Sequence, residues 1–131
     1  MCDEYDELHL DELRKKWDAE RSMWKEFAQN NLLGRELEKV GEFEKAIELY
    51  EQNVARRDEG SHPYERLAVI YSKMKKYDDV KRILEIVIDL YESDVRIGDK
   101  PAKQKSLTKF KDRLEKVEKK MSLPMQKDIN D

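Results

Sequence analysis

Cys2 is the only cysteine, so no disulfide can form within the chain and a reducing compartment is its natural setting. Three prolines and four glycines among 131 residues are too few to supply the turns of a β-sandwich or barrel. No apolar run reaches the ~18 residues needed to cross a bilayer as a helix. The acidic beginning of the sequence has neither the basic residues nor the apolar stretch of a secretion signal, and the cytoplasm is the expected location. Also missing are a glycine-rich phosphate loop, a Gly-x-Ser-x-Gly elbow and a Cys-x-x-Cys pair. The two histidines, His9 and His62, are far apart and neither stands in a metal-ligand spacing. An enzyme is not expected, and no cofactor or metal is implied.

What is present is charge and helical periodicity. Charged residues make up 44% of the chain and hydrophobic ones 38%, a balance that would suit disorder if the apolar residues did not recur at three-four spacing. They do, so the expectation is one folded, all-α domain joined by short connections. The net charge of −3 exerts no overall pull toward nucleic acid or anionic lipid, but the charges are unevenly placed. Six acids and no Lys or Arg fall between Asp3 and Glu12, whereas nine Lys or Arg face four acids between Asp99 and Lys120.

Two segments align at a spacing of 34. Leu33 pairs with Leu67, Gly34 with Ala68, Leu37 with Tyr71, Phe43 with Tyr77, Ala46 with Val80, and Tyr50 with Leu84. Each pair is alike in polarity and mostly in size. The apolar residues Phe43, Ala46, Ile47, Tyr50 and Val54 trace one helical face, and Tyr64, Leu67, Ala68, Tyr71 and Met74 trace another. Between them Gly60 is placed to stop one helix and Pro63 to open the next, with His62 in an exposed loop.

These paired positions resemble the tetratricopeptide repeat, with units at about residues 28–60 and 62–94. The resemblance implies two helical hairpins, in which small residues early in the first helix (Gly34, Ala68) admit the second helix closely. It further implies a groove lined by the first helix of each hairpin and open to a protein or peptide. The residues it places there are Asn31, Arg35, Glu38 and Lys39, then Glu65, Arg66, Val69, Ser72 and Lys73. Arg35, Arg66 and Lys73 would hold a carboxylate or an acidic stretch. Asn31 and Arg35 depart from the set with which some members of the family grip a chaperone's terminal carboxylate, and a third repeat is missing.

Flanking helices are expected on both sides. The helix carrying Val80, Ile83, Leu84, Ile86, Val87, Ile88, Leu90 and Tyr91 is apolar around most of its circumference and must be covered. The expected cover is a C-terminal helix over 101–121, whose Leu107, Phe110, Leu114, Val117 and Met121 form a narrow seam that either caps the repeats or pairs with a second copy. Residues 1–27 form the other flank, where Leu10, Leu13, Trp17, Trp24 and Phe27 follow a heptad-like rhythm broken by Glu20. One long helix through to Val40 and a bend near Asn30–Asn31 are both open. Two tryptophans on one helical face ordinarily signal core; uncovered, the face would be an interaction surface. Residues 122–131 read as a disordered tail, and the repeat pair as 28–60 and 61–96.

The functional expectation is a protein-interaction module, an adaptor or regulator, with a homodimer as one form. Compactness also fits a small bacterial or phage-like regulator. The alternative is nucleic-acid binding through Lys103, Lys105, Lys109, Lys111, Arg113, Lys116, Lys119 and Lys120, for which no aromatic stacking face stands beside the lysines. A third reading has the acidic head imitate nucleic acid or meet the basic tail of another copy.

Overall fold

A computed structural model describes residues 2–94 and 101–122, with side chains described from residue 9 onward. Among the described residues there are five α-helices: α1 (Cys2–Lys39), α2 (Phe43–Ala55), α3 (His62–Lys73), α4 (Tyr77–Ser93) and α5 (Pro101–Met121). Each packs chiefly on the next in sequence, α1 on α2, α2 on α3, and α3 on α4, with α5 closing against α4. The fold is all-α and built of helical hairpins. No helix among the described residues is long and apolar enough to cross a membrane.

The first helix is continuous. No glycine or proline occurs before Gly34, so nothing in the sequence interrupts it, and it runs unbroken through Asn30–Asn31. It ends where Gly41 takes a left-handed conformation at φ +81°, which turns the Glu42 N–H back to the Leu37 carbonyl at 2.8 Å. The same motif recurs 34 residues later. Lys75 sits at φ 60° and the Lys76 N–H donates to the Tyr71 carbonyl at 2.9 Å.

Helix α2 stops at Ala55, well ahead of Gly60. Arg57, at φ 58°, makes the left-handed turn and the Asp58 N–H donates to the Asn53 carbonyl at 3.0 Å. Gly60 therefore is not the terminator. Its N–H donates to the Asp58 carboxylate at 2.9 Å, tightening the loop. Pro63 does occupy the opening turn of α3, where its missing N–H costs nothing. His62 is the first residue of that helix and half-buried, its ring edge-on to Tyr50 with centroids 5.5 Å apart, so it is not an exposed loop residue.

The core runs through all the hairpins. Tyr50, Tyr64, Leu67, Ile83, Leu84, Val87 and Tyr91 are fully enclosed. Helix α4, apolar on most sides, is sandwiched between α3 and α5. Phe110 and Val117 of α5 are buried there, and Leu107, Leu114 and Met121 pack beside them. Phe110 meets Tyr91 edge-on, with centroids 6.1 Å apart. The C-terminal seam is thus folded onto its own chain. Of the tail, residues 123–131 lie outside the described part.

Leu33 and Leu67, one repeat apart, differ sharply: Leu67 is fully enclosed, whereas Leu33 is 51% exposed. Among the described residues no element packs on that side of α1.

Candidate interaction surface

Glu38 joins the two hairpins. It leaves the last turns of α1 and accepts hydrogen bonds from the Tyr50 hydroxyl at 2.6 Å and from the Arg66 guanidinium, with Nη2 at 2.5 Å and Nε at 3.1 Å. Its side chain is only 10% exposed. Burial pushes the carboxyl upward, but the bonds from Arg66 and Tyr50 outweigh it and hold Glu38 below the usual carboxylate range. The same partnership pushes the Tyr50 phenol up, burial being the larger cause. Arg66, expected to receive a ligand carboxylate, therefore already holds the chain's own. A two-pronged pair with a mostly buried acid is the better-satisfied arrangement.

Around this hub most of the sequence-derived groove residues line three neighbouring hollows that share residues. One of 270 Å³ is lined by Arg35, Glu38, Lys39, His62 and Arg66. His62 is held below the ordinary imidazole value by burial and then by Arg35 and Arg66. Lys39 reaches Glu36 at 3.2 Å in an exposed pair of little energetic consequence. A larger hollow of 440 Å³ shares Glu38 and Arg66 and adds Phe43, Ile70, Lys73 and Met74. A third of 330 Å³ shares Lys73 and brings Val69 and Ser72 against Arg113, Lys116 and Lys120 of α5, over a floor of Ala68, Val80 and Val117.

That third hollow has a wall the repeat pattern did not reveal. Arg113, Lys116 and Lys120 recur at three-four spacing beside the seam that anchors α5, so the packing that buries Phe110 and Val117 also aims a basic edge at α3. Lys120 lies 5.6 Å over the Tyr77 ring. Lys73, Arg113 and Lys116 have no carboxylate partner among the described residues. The other C-terminal cations are dispersed: Lys111 pairs with Glu92 at 3.3 Å, Lys119 with Glu115 at 3.3 Å, and Lys103 donates to the Glu59 carbonyl at 2.8 Å. Lys105 and Lys109 are exposed.

Two expected groove residues are elsewhere. Asn31 turns toward the α2–α3 loop, where it accepts from the Asn53 amide at 2.9 Å and donates to Asp58 at 3.4 Å. Asn53 and Asp58 are buried polar residues, and Asn31 joins the Phe27 carbonyl, Asn30 and the Gly60 N–H in satisfying them. Burial raises the Asp58 carboxyl, against the Gly60 N–H and Asn31 that stabilise its charge. Glu65 is half-buried and lines none of these hollows.

The tryptophans are not core. Trp17 is 53% and Trp24 63% exposed on the part of α1 that extends beyond the hairpins. Trp24 lines a shallow hollow of 310 Å³ with Phe27, Ala28, Asn31, Asp58 and Glu59.

Residues 31–61 match the family model described as Tetratricopeptide repeat. That stretch covers the end of α1, all of α2 and the turn into α3. No curated protein and no solved structure matches the chain.

Proposed function

We propose that the protein is an interaction module, an adaptor or regulator, that holds an acidic amphipathic segment of a partner protein between α3 and α5. The observation that carries this is the set Lys73, Arg113 and Lys116, which have no carboxylate partner among the described residues, around a floor of Ala68, Val80 and Val117. An apolar floor with a cationic rim selects a segment that alternates apolar and acidic residues. Arg35, beside the Glu38 hub, extends the same sign along the face.

The test is fluorescence anisotropy with labelled 12-residue peptides, alternating Leu or Phe with Glu, against neutral and basic counterparts. Acidic peptides are expected to bind, and Lys73→Glu with Lys116→Glu to remove binding while the thermal melt is unchanged. Equal binding of neutral peptides, or indifference to the double charge reversal, would overturn the assignment. A 25-base-pair duplex in low salt serves as the competing ligand. Tighter binding of that duplex than of any peptide would transfer the basic edge to nucleic acid.

A further inference from the structure

We infer that the projecting half of α1 is a self-association element that pairs antiparallel with α1 of a second copy. It is independent of the groove between α3 and α5.

Before Glu26 the described residues of α1 are exposed apart from Leu13 and Met23, which are half-buried. Residues 2–25 make a helix roughly 36 Å long at 1.5 Å per residue, with no helix beside it among the described residues. A lone helix in water is marginal even with good helix formers, because its stability in proteins comes from packing an apolar face. Such a face exists. Leu10, Trp17 and Trp24 recur every seven residues, with Leu13 between the first two, and all three are about half exposed or more. Seven-residue spacing is the period at which two helices stay in register along a shared seam.

Charge identifies the occupant. Between Asp3 and Glu12 there are six acids and no bases, while between Arg14 and Lys25 there are five bases and two acids. The complement of this helix is the same helix run in the opposite direction, acidic stretch beside basic stretch. A parallel pair would set acids beside acids along the first third of its length, which disfavours that orientation. The two tryptophans and Leu10 of each copy offer of order 600–800 Å² of apolar surface to the pair. The flanking charged residues bring the total to the ~1,000 Å² of a specific contact. Glu20 interrupts the ridge between the tryptophans and limits its strength.

The whole chain reports on this directly, because Trp17 and Trp24 are its only tryptophans and Cys2 its only cysteine. Light scattering on the eluting protein at ~100 μM is expected to give twice the 15.7 kDa chain mass, with blue-shifted tryptophan emission relative to dilute protein. Trp17→Glu with Trp24→Glu should return the mass to that of one chain and leave the cooperative melt of the hairpins in place. Glu20→Leu should lower the dimer dissociation constant at least tenfold. Spin labels on Cys2 should lie ~35–40 Å apart in the dimer, the offset of antiparallel helices overlapping over this length. A single-chain mass at ~100 μM, a dimer unaffected by the tryptophan substitutions, or Cys2 labels within ~20 Å of each other would each overturn the proposal.

Discussion

Replacing Gly34 by Ala should destabilise this protein, although the same change in an ordinary exposed helix would stabilise it. A Cβ at position 34 would lie 2.6 Å from both Cε1 and Cζ of Tyr50 and 3.0 Å from its hydroxyl oxygen. Carbon atoms rest at ~3.5–4.0 Å, so the ring must retreat by about 1 Å. It has nowhere easy to go: Tyr50 is fully enclosed, edge-on to His62, and tied through its hydroxyl to Glu38 at 2.6 Å. Overpacking a filled site costs ~2 kcal/mol. Loss of a hydrogen bond to a charged acceptor adds ~2 kcal/mol, and the gain in helix propensity offsets ~1 kcal/mol. The expected net loss is ~3 kcal/mol, or roughly 10–15 °C in melting temperature for a domain of this size. Urea titration followed by circular dichroism measures it. Tyr50→Leu in the same chain removes the colliding ring, so the two losses should fall short of additivity by more than ~1 kcal/mol. Gly34→Ala as stable as the parent, or more so, would refute the argument that close approach of α1 and α2 is why glycine stands there.

Lys75→Gly should stabilise by ~1 kcal/mol, because a side chain at φ 60° is strained where Gly41 in the equivalent turn is not; the midpoint of a thermal melt should rise by several degrees, and a fall would discredit the capping assignment. Phe110→Ala should cost ~3–5 kcal/mol by opening a cavity between α5 and α4; limited proteolysis should then cleave α5 first. Stability should fall with acid in two windows. His62, whose folded pKa lies below 6.5, favours the neutral ring in the folded state, so its contribution fades as pH drops below ~6.5. Glu38, held below 4.5, contributes above that value and loses its share as pH falls through the lower folded pKa. His62→Gln should flatten the first window and Glu38→Gln the second in unfolding free energy measured from pH 3 to 7; identical acid limbs in parent and variants would sink both assignments.

The helices and their pairing were legible because a 34-residue period and three-four spacing are properties of sequence alone. Val80, Ile83 and Leu84 on α4 required a cover, and α5 provides it with the seam expected. Helix ends were less legible. The left-handed conformations of Arg57 and Lys75 are imposed by the turn geometry on residues with no marked preference for it, whereas Gly60 looked like a terminator and is not one. Periodicity also cannot distinguish a covered ridge from a bare one: Leu107–Met121 and Leu10–Trp24 have much the same rhythm, yet one is core and the other exposed. Repeat position alone points Asn31 to the groove. Its true environment is decided by Asn53 and Asp58, buried polar groups that no local pattern announces. Arg66 has the right position for a ligand contact and is engaged by Glu38, a residue 28 positions away.

On the proposed function, helix α5 serves both stability and recognition. Two hairpins leave one face of α4 bare, and Phe110 and Val117 close it. The neighbouring stripe of Arg113, Lys116 and Lys120 then becomes the far wall of the hollow against α3. The cationic wall is therefore formed only while α5 is docked. A ligand that bridges Lys73 on α3 to Lys116 on α5 binds the docked state alone, so it must stabilise docking by RT ln(1 + [L]/Kd), ~2.7 kcal/mol at a hundredfold excess over Kd. Phe110→Ala should accordingly weaken acidic-peptide binding although residue 110 lines none of that hollow, and saturating peptide should restore much of the variant's lost protection of α5 from protease. Full-strength binding by a variant whose α5 is already cleaved would show that the groove does not need this wall.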